Sequence, residues 1–216
     1  MKNLILCLVL VLPGYLFAQV GIKAGLNFAN VTKASSINND SRTGFHAGIF
    51  FSPRSSGIIG SHTELLFSRQ GYDYKTNRNT GTVDLDYIML PQFLAINITK
   101  YFQIQVGAQV AYLLNAKVDS SNNSFGGSSN PYSNILDIYN RFDYGFGGGV
   151  QVHPVLGLVV GARFNISLGK LYEDPSTYNT GGSATAYDFI PKVDVKNNVF
   201  QLYGGWRFGS SKKKQK

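Results

Sequence analysis

Glu64, Asp143, Arg163, Lys23, His46 and Arg207 are the residues whose types could do acid–base chemistry while sharing one side of regularly alternating segments. Glu64 and Asp143 set against Arg163 and Lys23 would make a neutralised network in a buried interior, where charges persist only when paired. The same groups could form a proton relay, since shifted titrations accompany both arrangements; the structural network is the economical reading. The histidines are His46, His62 and His153, and His62 stands next to Ser61 and two residues before Glu64. A nucleophile, a base and an orienting acid would have to converge for hydrolysis. A lipid-modifying site built on His62 or His46 is therefore an alternative, although no motif surrounds either.

Other chemistries find less support. Asp84, Asp86, Asp119, Asp137, Glu173 and Asp174 are scattered, without the one-three-five rhythm of a calcium loop. Gly147, Gly148 and Gly149 lie inside an alternating segment and not ahead of a helix, so they make no phosphate cradle. Cys7 is the single cysteine and lies in the leader described below, which leaves no disulfide or thiolate metal site downstream. No cofactor or metal is expected. Of the net charge of +8, one unit is Lys2 and four are Lys212, Lys213, Lys214 and Lys216, which leaves +3 for the rest. The basic balance is largely a tail, and it gives a nucleic-acid partner little support.

These side chains need elements to hold them, and the elements announce themselves by a period of two. Phe102, Ile104, Val106, Ala108, Val110 and Tyr112 alternate with small or polar residues, as do Leu158, Val160, Ala162, Phe164, Ile166 and Leu168. Such runs of about ten residues are strands with one oily face, long enough to cross a bilayer tilted. Eight are expected: 21–29, 43–51, 58–70, 84–96, 101–114, 142–152, 158–168 and 198–208. The connections 52–57, 97–100 and 153–157 are tight, whereas 30–42, 71–83, 115–141 and 169–197 are long and polar. Alternation of short turns with long loops is the pattern of outer-membrane barrels, in which an even strand count puts both ends in the periplasm.

The alternation does not by itself say which way the oily face points. A soluble lipocalin-like barrel would turn it inward. Charges on the small-residue face, aromatics near strand ends and lopsided loops favour lipid outside. The content of 24 Gly, 13 Tyr and 15 Phe agrees with strands and aromatic belts, and a mean hydropathy of -0.06 is no objection, because lumen residues dilute the lipid-facing ones. The segment Ile88 to Leu94 is ambiguous, being nearly continuous apolar with Pro91 inside it, which implies a bulge or an unpaired amide.

Residues 1–18 read as a cleaved export signal: Lys2, an apolar core from Leu4 to Leu12, Pro13-Gly14, and Leu16-Phe17-Ala18 before Gln19. The expected organisation is thus a signal at 1–18, a barrel at 19–208 and a basic tail at 209–216.

Several stretches resemble the small outer-membrane β-barrel proteins of Bacteroidetes-type bacteria, the porin-family or PorT-like barrels. They are Gly21-Ile-Lys-Ala-Gly-Leu-Asn-Phe-Ala29, Glu64-Leu-Leu-Phe-Ser-Arg-Gln-Gly71, Tyr87-Ile-Met-Leu-Pro91, Phe102-Gln-Ile-Gln-Val-Gly107, Phe142-Asp-Tyr-Gly145 and Gly161-Ala-Arg-Phe164. Met89 stands where such proteins often carry a polar residue, and eight residues follow Phe208. The resemblance implies an all-β, eight-stranded antiparallel up-and-down transmembrane barrel of the OmpA/OmpX-like size, located in the outer membrane and not an enzyme. It implies lipids and lipopolysaccharide as surroundings, the outer-membrane assembly machinery as the reader of a terminal strand ending in Trp206 and Phe208, and extracellular loops as contact surfaces. A role as an accessory barrel of a secretion or gliding apparatus is a second implication, with a secretion or extracellular protein as partner. Against the porin label stands geometry: a ring of this size is filled by side chains.

Overall fold

The computed structural model describes residues 18–32, 40–53, 57–75, 80–120, 136, 139–155, 157–172 and 196–209. The expected signal, apart from Ala18, and the tail lysines Lys212 to Lys216 lie outside the described residues. Eight strands follow one another: β1 (Ala18–Thr32), β2 (Asp40–Pro53), β3 (Ile59–Lys75), β4 (Thr80–Asn97), β5 (Phe102–Ser120), β6 (Phe142–Val152), β7 (Leu158–Ser167) and β8 (Lys196–Arg207). Each pairs antiparallel with the next, and β1 pairs with β8 from Gly21↔Arg207 to Thr32↔Lys196, so the sheet closes into a barrel with no free edge.

The side chains settle which face is which. On β5, Gln103, Gln105 and Gln109 are buried while Ile104, Val106, Val110 and Tyr112 are exposed. β1 and β6 repeat the arrangement, with Lys23 and Asn27 inside against Ile22 and Leu26 outside, and Gln151 inside against Phe146 and Val150 outside. Polar inside and apolar outside is the reverse of a water-soluble barrel and the pattern of one that faces lipid.

The tight connections gather at one end with both strand termini, which we call the turn end. Thr99 Oγ1 accepts from the backbone N–H groups of Tyr101 and Phe102 at 3.1 and 3.0 Å, closing the connection from β4 to β5. Between β6 and β7 the turn passes through Gly157 at φ +91°, where a Cβ would also meet the Trp206 ring at 2.9 Å, so glycine is required twice over.

At the loop end the strands run further than the polarity of their sequence suggests. The connection expected at 71–83 is mostly ladder, Gly71↔Asp84 through Lys75↔Thr80, and only residues 76–79 separate β3 from β4. The alternation continues there with different chemistry, since Tyr72, Tyr74, Val83 and Leu85 turn inward while Asp73 and Asp84 turn out. Leaving the apolar band changes the outward residues and not the period.

The ambiguous run in β4 also resolves. Ile88, Leu90 and Leu94 face outward, whereas Met89, Pro91 and Phe93 face the lumen. Pro91 makes no bulge: the register with β3 is the same at Thr63↔Gln92 and Leu66↔Met89, with the pairing lapsing only between Glu64-Leu65 and Leu90-Pro91, where proline has no N–H to give. The bulges lie elsewhere, between Ser41 and His46 and between Asp86 and Tyr87.

Candidate functional site

Glu64 is the centre of the lumen. Its neighbour two residues back on β3, His62, shares the inward face and places Nε2 at 2.8 Å from Glu64 Oε1. Lys23 on β1 donates to Oε1 at 2.9 Å, and Arg163 on β7 reaches across with two N–H···O bonds of 2.9 Å, one to each oxygen. The side chains of Lys23, Glu64 and Arg163 are at most 1% exposed. Two cations against one carboxylate leave an excess of positive charge, and aromatic faces take it up. Lys23 Nζ lies 3.5 Å above the Tyr203 ring centroid and the Arg163 guanidinium carbon 3.9 Å from that of Phe93. Arg163 also donates to Gln105 Oε1 at 2.6 Å. Tyr203 fits there because Gly161 lies against its ring: a Cβ at Gly161 would come within 2.4 Å of it.

Asp143 does not join this cluster. It accepts from Ser167 Oγ and from the backbone N–H of Tyr144. Arg163 pairs in register with Gly149, six residues along β6 from Asp143, or about 20 Å at the rise of a strand. Alternation identifies the face on which a charge sits but says nothing of its level along the axis, and the expected grouping of four is a grouping of Glu64, Lys23 and Arg163 with His62.

The histidines occupy separate places. His46 Nδ1 lies 2.8 Å from Asn27 Oδ1. His62 stacks on Phe50, with ring centroids 5.1 Å apart. Ser61, the neighbour of His62 in sequence, is on the opposite face of β3, where its Oγ accepts from Gln92 Nε2 at 2.8 Å. Adjacent residues of a strand point to opposite sides, so the barrel wall separates Ser61 from His62. His153 lies in the turn between β6 and β7, against Gln151 and Arg207. Burial first, then the neighbouring Arg207 and His62, pushes its pKa down to about 4.

At the loop end the lumen changes character. Tyr72, Tyr87, Leu85 and Leu113 form an apolar layer with residues of the long connections, Leu136, Tyr139, Leu171 and Tyr172, packed on it. The two connections meet in a bridge between Tyr139 and Tyr172. Tyr72 bonds Tyr172 through their hydroxyls and lies 3.4 Å from that of Tyr139. Sequence gave no warning of Tyr139 and Tyr172, which lie in stretches without a period. Tyr203 was within reach, since it lies an odd number of residues from the outward Trp206; Phe93 was not, because it lies in the run from Ile88 to Leu94 whose faces alternation leaves ambiguous.

Outside, the apolar band is bounded at the loop end by ion pairs: Arg69–Asp86 at 2.7 Å, Arg42–Asp84 at 2.5 Å and Arg42–Asp73 at 3.0 Å. At the turn end Trp206 and Phe208 face outward, 46% and 49% exposed, and the Phe208 N–H donates to the Val20 carbonyl at 2.8 Å.

Comparison with family models agrees with this architecture. The family described as outer membrane protein beta-barrel domain matches residues 15–173. Among solved structures, the attachment invasion locus protein Ail of Yersinia pestis is 16% identical, with 88% of this chain and 99% of that chain covered and a TM-score of 0.49. Neisserial surface protein A is 15% identical, over 88% of this chain and 97% of that chain, with a TM-score of 0.48. Comparison with curated proteins finds no match.

Proposed function

We propose, for a chain that belongs to the outer membrane protein beta-barrel domain family and resides in the outer membrane, a non-enzymatic role in which the outward and loop surfaces do the work and the lumen is a structural core. The observation that carries this reading is the filling of the lumen at two levels. The Glu64 cluster closes its middle, and the Tyr72, Tyr139 and Tyr172 layer closes its loop end. A small barrel so filled has no room for a water-filled passage. What remains for function is recognition through the long connections and contact with membrane lipids and lipopolysaccharide, for which the apolar band and the Arg42 and Arg69 ion pairs supply an oily wall and a charged rim.

Cells carrying the chain with residues 121–135 replaced by a glycine-serine segment test this. Surface binding, scored as adhesion to an extracellular partner, should fall while the folded barrel persists in the outer membrane. Single cysteines in place of Lys170 and Lys100 fix the orientation: Lys170→Cys should label from outside intact cells and Lys100→Cys should not. Unchanged adhesion, or the opposite labelling, would overturn the assignment.

A narrower reading comes from the ordered motifs that resemble the PorT-like barrels, and it makes the chain an accessory of a protein-secretion or gliding apparatus. A deletion strain that loses secreted proteins from its medium would favour that reading over adhesion. The lipid-modifying alternative built on His62 or His46 draws no support from Ser61, which lies on the opposite side of the wall from His62.

A further inference from the structure

Ser61, Thr63 and Gln92 are polar residues on the lipid-facing side of the barrel. Ser61 and Thr63 alternate on β3 with the inward His62 and Glu64, and Gln92 alternates on β4 with Pro91 and Phe93. Its companions on the outer face are Leu90 and Leu94, 47% and 46% exposed. The three side chains bond one another: the Thr63 hydroxyl donates to Gln92 Oε1, and Gln92 Nε2 donates to Ser61 Oγ at 2.8 Å.

Their depth makes them unusual. On β4, Gln92 is five residues from Asn97 at the turn end and six from Asp86, which pairs with Arg69 on the charged rim. At a rise of about 3.4 Å and a tilt of about 40°, those separations are about 13 and 16 Å along the barrel axis. Gln92 therefore lies close to the middle of an apolar band about 25 Å tall, where a carboxamide has no water to bond. The Gln92 side chain carries two donor hydrogens and two acceptor lone pairs, and the Ser61 and Thr63 bonds use one of each.

The surface around it is shallow. Thr63 pairs with Phe51 of β2 and with Gln92 of β4, Gln92 pairs with Ala108 of β5, and Ala108 pairs with Phe146 of β6. Gln92 and Ala108, both exposed, thus form a shelf of short or polar side chains beside Thr63, which is only 8% exposed, with an outward phenylalanine on either side. Beside it lies the lapse in the ladder at Pro91.

We propose that this shelf is a membrane-embedded interface with a second copy of this chain, in which the two Gln92 carboxamides bond each other across a two-fold axis normal to the membrane. A partner must offer a donor and an acceptor at mid-membrane depth. A second copy does so by construction, because two barrels inserted in the same sense hold Gln92 at the same level, and a carboxamide is complementary to itself. The phenylalanines of each copy then cover the shelf of the other. Polar contacts between membrane helices are modest individually, and by the same measure the dimer is expected to be reversible.

The test uses the full chain in its outer membrane with Cys7→Ser as background, so that the introduced thiol is the only one. Ala108→Cys, treated with a short bismaleimide, should give a band at twice the monomer mass. Leu202→Cys, outward on β8, should not. Adding Gln92→Leu to the Ala108→Cys chain should lower its dimer yield about tenfold, with the unboiled monomer still migrating as folded. Monomer only, adducts only with a different protein, equal crosslinking at Leu202, or no response to Gln92→Leu would each overturn the proposal.

Discussion

Arg163 and Glu64, ninety-nine residues apart in sequence, hold each other across the lumen through two parallel bonds of 2.9 Å, with both side chains 0% exposed. The bidentate geometry fixes the distance between opposite walls as well as neutralising a carboxylate. Lys23 and His62 share the remaining capacity of Glu64 Oε1, so the four groups act as one unit.

Removing Arg163 should therefore be expensive. Arg163→Met is expected to destabilise the folded barrel by about 3 to 5 kcal/mol, because Glu64 loses its bidentate partner in a buried site. Lys117→Met, at an exposed site near the loop end, should change little. Urea unfolding midpoints of unboiled samples in micelles compare the two, and equal midpoints would remove the network from the account of stability.

The loop-end layer makes a separate claim. Tyr72→Ala removes a fully buried ring at the meeting point of two connections and should cost about 3 to 5 kcal/mol. Tyr72→Phe keeps the ring and loses only hydroxyl bonds, for about 1 kcal/mol. The unmodified monomer in a planar bilayer should show no sustained nanosiemens-class openings, and seeing them would mean that the lumen is open.

The expectation that Trp206 and Phe208 serve as an assembly signal is tested on insertion. Phe208→Ala should lower the yield of heat-modifiable barrel in the outer membrane several-fold, whereas deleting Lys212 to Lys216 should leave it near normal. Membrane fractionation with unboiled electrophoresis decides, and equal yields would dissociate the final aromatic from assembly.

His153 gives the acid limb of stability a local source. Its folded pKa, near 4, lies below the ordinary 6.5 because of burial and Arg207. The unfolded chain consequently binds the proton more readily between those two values, and stability falls as pH is lowered from about 6.5 towards 4. His153→Gln should flatten this part of the profile relative to the parent. Superimposable profiles between pH 7 and 4 would assign the acid sensitivity elsewhere.

The parts of this molecule that sequence revealed are those governed by a period of two. The strands, the inward positions of Lys23, Glu64 and Arg163, and the outward Trp206 follow from alternation alone. Position along the axis does not, since it depends on register and stagger between distant strands; that is why Asp143 shared a face with Arg163 on paper and not a level in space. Charged outward residues disguised the ends of β3 and β4 as loop. A continuous apolar run hid Gln92, whose orientation became readable only when Pro91 was placed inside. Tyr139 and Tyr172 had no periodic neighbours to betray them.

The seam between β1 and β8 has a consequence for the order of events in synthesis. β1 is the first strand to leave the ribosome and β8 the last, yet they must meet from Gly21↔Arg207 to Thr32↔Lys196 before the sheet has no edge. Until then one side of β1 carries unsatisfied amides and carbonyls that hydrocarbon does not tolerate. A nascent or truncated chain therefore has no stable place in the bilayer. Closure must be a late, nearly all-or-none event, reached only by a complete polypeptide that has been kept from the membrane until its final residues are available.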